Sequence, residues 1–214
     1  MKLLTIGDSF TYGEELLDIN NAWPYILGQR IGYEVTNLGN PASSNDRIVR
    51  VLLEYLIENC NHTDLVIIGW SLLGRAEFAD ELGYYDIWPG AGRYYGDHRN
   101  QVVKYISTYH SREAYFRKYL QQIILVQEFL KHRNIKYVML DVLANDYYRK
   151  QHQFSWNNYE NQIDQTNYID FNKSGMCEWA SGTPTGSQGH FLEEGHRIVA
   201  NRIYEHIRHL GWVS

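Results

Sequence analysis

The chain opens with Lys2-Leu3-Leu4-Thr5-Ile6-Gly7-Asp8-Ser9-Phe10-Thr11-Tyr12-Gly13. An apolar run ends at Ile6, and Gly7 then lets the backbone turn sharply. This places Ser9 just beyond the carboxyl end of a strand, with its hydroxyl and nearby N–H groups free to face an anion. Three further runs read as strands: Tyr33 to Asn37, Leu65 to Ile68 and Lys136 to Asp141. Leu65 to Ile68 is continuously apolar, as expected of a strand covered on both faces. Helical spacing fills the intervals. Ile48, Val51, Leu52, Tyr55 and Leu56 share one face, with Ser43 or Ser44 as cap and Asp46 in the first turn. Phe116, Leu120, Ile123, Ile124 and Leu130 mark a helix from about Arg112 to His132. Val199, Ile203, Ile207 and Leu210 mark another from about Glu194 to Leu210. Strands alternating with helices predict a parallel α/β sheet with helices on both sides. Ligands of such sheets sit at the carboxyl ends of the strands, here just after Ile6, Asn37, Ile68 and Asp141.

The chain has 214 residues, a net charge of -5, 44% hydrophobic and 21% charged residues. That length predicts one domain, spanning residues 1–214, with a core that needs no staples. The composition excludes collagen, coiled coil and disordered tail. No apolar run reaches membrane-span length, so no membrane partner is expected. The negative balance argues against a nucleic-acid partner. The first residues are too short an apolar run for a secretory signal, so a cytoplasmic location is expected. Cys60 and Cys177 give no disulfide framework. Two stretches interrupt the alternation, at about 75–111 and about 145–186. The first holds Trp88 and several of the 18 tyrosines. It reads either as a small core under an insertion or as a sugar-stacking or lid surface.

Four turns carry residues suited to chemistry. Ser9 needs a base to act as a nucleophile. After the second strand, Asn37-Leu38-Gly39-Asn40-Pro41-Ala42-Ser43-Ser44-Asn45 offers the Gly39 N–H as an oxyanion donor and Asn45 as a substrate contact. After the third, Gly69-Trp70-Ser71-Leu72-Leu73-Gly74-Arg75 offers the Ser71 hydroxyl, and Arg75 to hold a polar substrate group. Near the end, Gly189-His190-Phe191-Leu192-Glu193-Glu194-Gly195-His196 places His190 on a loop before the last helix, as a base near neutral pH. His196, a turn inside that helix, is expected to pack or cap. No His-Glu-x-x-His spacing or Cys/His cluster occurs, so no metal is expected. Each turn, taken alone, also reads as an ordinary strand-to-helix connection.

In this order the four blocks resemble the SGNH hydrolases, also called GDSL esterases and lipases. The resemblance implies a three-layer α/β/α sandwich with a flavodoxin-like parallel sheet. It implies Ser9 as nucleophile, His190 as base and Ser9 and Gly39 as oxyanion donors, with no cofactor. Two positions depart from the family pattern. Ser71 stands where an asparagine oxyanion donor is usual, and Ser187 stands where an aspartate orients the histidine. That orienting role then falls to a backbone carbonyl or to an acid elsewhere, such as Asp146, Asp164 or Glu178. The implied activity is serine ester hydrolysis. Inserts rich in Tyr, Asn and Gln favour a short acyl ester such as an O-acetylated carbohydrate over a lipid. The alternatives are a non-catalytic carbohydrate-binding or structural protein on this fold, an acyltransferase using the same pair, and, on fold alone, a flavodoxin-like cofactor binder.

Overall fold

The computed structural model describes residues 1–88, 91, 97–109, 111–144 and 156–213. Four parallel strands form its centre: β1 (Lys2–Ile6), β2 (Glu34–Asn37), β3 (Leu65–Trp70) and β6 (Lys136–Asp141). Their order across the sheet is β2-β1-β3-β6. The sequence reading placed all four, to within a residue or two at each end. Pairing sets Leu3 beside Leu65, Thr5 beside Asn37 and Trp70 beside Asp141, so the carboxyl ends share one rim. The chain goes from β1 out to β2 and returns past β1 to β3. The loops leaving β1 and β3 therefore part at a switch point, where a crevice opens.

Strand side chains alternate between faces, and two cores follow from that period of two. Leu4, Ile6, Val66, Ile68, Tyr137 and Met139 meet Ile48, Leu52 and Leu56 of α3 (Asn45–Asn59) and Phe116, Leu120 and Ile123 of α5 (Arg112–His132). Leu3, Leu65, Ile67, Val138 and Leu140 meet Trp23 and Leu27 of α2 (Trp23–Ile31) and Val199, Ile203 and Ile207 of α6 (Glu193–His209). Each fully covered Leu, Ile or Val is worth about 1.5–3 kcal/mol relative to exposure. The result is the predicted three-layer sandwich. β3 lies between β1 and β6 and is buried along its whole length, as its unbroken apolar run requires. Ser44 caps α3, its hydroxyl accepting from the Arg47 N–H at 3.2 Å.

The first interruption of the alternation is not structureless. It holds the antiparallel pair β4 (Ala76–Asp80) and β5 (Gly83–Ile87), then α4 (Asp97–Tyr109). Ala76, Tyr85, Ile87, Ala91, Val103 and Ile106 make a small core of their own beneath it. Tyr84 and Tyr105 are exposed, and Arg50 lies over the Tyr84 ring at 3.9 Å. Strand alternation explains the split: Tyr84 and Tyr85 are neighbours pointing to opposite sides of a hairpin. Within the second interruption, Tyr168 makes a single parallel bridge to Met139 of β6. No described helix is long and apolar enough to cross a membrane.

Candidate active site

Ser9 begins α1 (Ser9–Tyr12), a single helical turn closed by Gly13 in the left-handed region at φ 93°. Asp8 caps this turn, its Oδ1 accepting from the Phe10 N–H at 3.1 Å. As the first helical residue, Ser9 has an N–H without an intrahelical acceptor. Its side chain is nearly buried, and its hydroxyl has no hydrogen-bond partner among the described residues. Gly7 has its own packing reason. A Cβ there would lie 2.2 Å from Thr11 Oγ1 and 2.9 Å from the Gly69 carbonyl oxygen, so close approach demands glycine.

Below Ser9 lies a buried polar post. Asp8 Oδ2 accepts the Ser71 hydroxyl at 2.9 Å and Arg75 Nη1 at 3.2 Å. Arg75 Nη1 also reaches Ser71 Oγ at 3.0 Å and the Ser43 carbonyl at 3.3 Å. Asn45 clamps the Ser71 backbone, accepting its N–H at 2.8 Å and donating to its carbonyl at 3.2 Å. Complete burial pushes the Asp8 carboxyl above its usual range, against the pull of Arg75, Ser71 and the Phe10 N–H. The post gives internal partners to three residues in which the sequence suggested site roles. Ser71 has one hydroxyl proton, and it goes to Asp8 Oδ2. Asn45 is a buried brace for the loop after β3. Arg75 Nη1 is held internally by the carboxylate beneath it.

The loop after β2 is braced in the same way. Asn37 Oδ1 accepts the Thr5 hydroxyl at 3.1 Å and the Gly39 N–H at 3.0 Å, while Nδ2 donates to the Thr11 carbonyl at 2.9 Å. The Gly39 N–H expected to face an oxyanion is therefore occupied by the neighbouring amide. Gly39 is needed for another reason: a Cβ there would sit 2.7 Å from the Tyr12 nitrogen. Three residues on, Ala42 has φ 60°, a strained setting for a residue with a Cβ.

His190 reaches the same corner from the tail. Its ring lies 4.8 Å from the Phe10 ring, and Phe191 lies 5.0 Å from Phe10. Its Nδ1 is 3.0 Å from Glu15 Oε2, and its Nε2 is 3.4 Å from Glu14 Oε2. Glu15 also accepts the His190 N–H at 3.1 Å, the Gln188 N–H at 2.8 Å and the Ser187 hydroxyl at 3.0 Å. Burial opposes its charge, but these donors outweigh burial and hold its carboxyl down to about 2. The loop that supplies them is folded tightly, with the Gly186 N–H on the His190 carbonyl at 2.8 Å and Gly189 at φ 89°.

Sequence reasoning did not find Glu15. Nothing local marks it, because its partner lies 175 positions away. Asp164 accepts from Tyr137 and Asn167, Glu178 accepts from the Gly175 and Ala144 N–H groups, and Asp146 falls outside the described residues. His196 packs, as expected. Its Nδ1 accepts the Trp23 N–H at 3.2 Å, and burial, helped by repulsion from His190, lowers it to about 3. Cys177 does not compete as a nucleophile, since burial pushes its thiol up to about 12.

The architecture and strand order are those of the SGNH hydrolase fold. TesA superposes with a TM-score of 0.61 at 14% identity, over 98% of this chain and 99% of that one. A member of the lipolytic G-D-S-L family from Veillonella parvula gives 0.53 at 13%, covering 96% and 97%. A catalytic mutant of Axe2, an acetylxylan esterase from Geobacillus stearothermophilus, gives 0.54 at 17%, covering 96% and 93%. At such identities the likeness establishes the fold. By sequence, the chain belongs to the family of unknown function DUF6071, whose model matches residues 12–214. No curated protein sequence matches it.

Proposed function

We propose that the protein is a serine ester hydrolase in which Ser9 is the nucleophile and His190 the base. One observation carries the reading: residues on the loop that bears Ser9, Phe10 and Glu15, are in contact with His190. The loop after β1 and the tail of the chain thus meet, and the carboxyl rim of the sheet is where this fold class binds ligands. His190 Nε2 takes the Ser9 hydroxyl proton as Oγ bonds to the acyl carbon. The ester C–O bond then breaks, and Nε2 returns that proton to the leaving alcohol. Water repeats the sequence on the acyl-enzyme and releases the acid. The Ser9 N–H, unpartnered at the start of α1, receives the oxyanion. A short acyl ester, with an O-acetylated carbohydrate as the favoured case, suits the polar inserts and the likeness to an acetylxylan esterase.

Ser9→Ala is expected to abolish turnover of a small aryl acetate while leaving the urea unfolding midpoint unchanged. A fluorophosphonate should label Ser9 in the wild-type protein, and peptide mass spectrometry locates the adduct. A second reading, a carbohydrate binder without turnover, draws on the occupied Gly39 and Ser71 donors. It predicts no label at Ser9.

A further inference from the structure

The third member of the site is missing from the place where the resemblance puts it, since residue 187 is a serine. We infer that Glu15 is the positioning residue for His190, supplied by the nucleophile's own loop instead of the histidine's. The inference rests on the hydrolase reading above. Glu15 Oε2 receives two groups of one residue, the His190 backbone N–H at 3.1 Å and the ring Nδ1 at 3.0 Å. Gripping backbone and ring with one oxygen fixes the imidazole relative to its own main chain. With Nδ1–H donating to Glu15, the neutral ring keeps its lone pair on Nε2, where a base needs it, 3.4 Å from Glu14 Oε2. Glu15 takes no proton itself. It orients the ring and balances the charge of the imidazolium that forms during attack.

Two further features belong to this grip and to no simple surface contact. Glu15 has φ 69°, a left-handed setting rare for a side-chain-bearing residue, two positions after the left-handed Gly13. Gly186 leaves the space that the carboxylate fills, since a Cβ there would lie 2.4 Å from Glu15 Oε1. The other oxygen, Oε1, is held by Ser187 and Gln188, so the carboxylate cannot rotate away. The serine at 187 thus serves the relocated acid as a donor. An aspartate there would place a second negative charge against Glu15.

The test compares wild-type protein with Glu15→Gln, Glu15→Asp, Ser187→Asp and the double variant Glu15→Gln/Ser187→Asp. For each, kcat and KM on an aryl acetate, the rate of fluorophosphonate labelling at Ser9 and the urea midpoint are measured. Glu15→Gln is expected to lower kcat and the labelling rate by about 100- to 10,000-fold, with KM within about threefold. Glu15→Asp should recover part of that loss. Ser187→Asp alone should slow the enzyme, yet in the Glu15→Gln background it should speed it, a reversal of sign that a structural role would not produce. Wild-type labelling rates in Glu15→Gln, or losses that merely follow the urea midpoint, overturn the assignment. If Glu15→Gln fails to fold, nitrogen-15 NMR of the wild-type protein decides: a neutral His190 protonated at Nδ1 supports it, and one protonated at Nε2 overturns it. Absence of any label on wild-type Ser9 would overturn the hydrolase reading together with this one, whereas a labelled wild type with an indifferent Glu15→Gln overturns this one alone.

Discussion

The site has two layers, and each sets a carboxylate and an imidazole among the polar turns. In the inner layer, Asp8 and His196 are buried. In the rim layer, Glu15 and His190 face each other at the mouth. Asp8 and Glu15 are seven positions apart, on either side of the α1 turn, yet their carboxyls are pushed in opposite directions. Burial dominates at Asp8 and raises it, even with a guanidinium alongside. Donors dominate at Glu15 and bring it to about 2. The same contrast explains the inner imidazole, which burial keeps neutral as an acceptor for the Trp23 N–H. Groups driven toward neutrality brace the turns, and the group held in its charged form orients the ring that would do the chemistry.

The comparison is broken most forcefully by acid. His196 is lowered from 6.5 to about 3, so the unfolded chain binds a proton there that the folded protein does not. Its contribution is complete above about pH 6.5 and is lost as pH falls from there toward 3. The loss is on the order of 4 kcal/mol. Urea midpoints measured between pH 7 and pH 4 should fall steeply in the wild-type protein. His196→Asn, which keeps an acceptor for Trp23 but does not titrate, should give a flatter curve.

Next in size is Arg75→Met, which leaves the Asp8 carboxylate buried without its cation. A penalty of about 3 kcal/mol is expected near pH 8. It should shrink as pH falls, because Asp8 is already raised by burial and protonation removes the unpaired charge. A penalty independent of pH would show that Arg75 acts through packing instead. The smallest effect is expected at Ala42, where φ is 60°. Ala42→Gly removes the strain at some cost in chain entropy, for a net gain of about 0.5–1 kcal/mol in unfolding free energy.

Much of the frame was legible because its signals are short-range. The unbroken apolar run at Leu65 marks the central strand, and the three-and-four spacing from Ile48 marks the inner face of α3. The hairpin at Ala76–Ile87 was not legible, since its alternation is irregular and its partner core comes largely from a helix farther along the chain. Within the site, the positions of Ser9 and His190, one after a strand and the other before a helix, were legible, and the roles proposed for them came from the order of the four blocks. For Gly39, Ser71, Asn45 and Arg75 the turn could be read but not the internal partner each one bonds. Which way a polar group points depends on what the adjacent loop offers, and there the nearest offers were the Asn37 amide and the Asp8 carboxylate.

The sequence by itself determined the layers, the strands along the chain and the rim on which the polar turns gather, because period, glycine and helix start act over a few residues. Only the tertiary structure decided that Glu15 would stand behind His190. That pairing spans 175 positions and depends on two left-handed turns and a vacant Cβ at Gly186, none of which leaves a periodic trace in the chain.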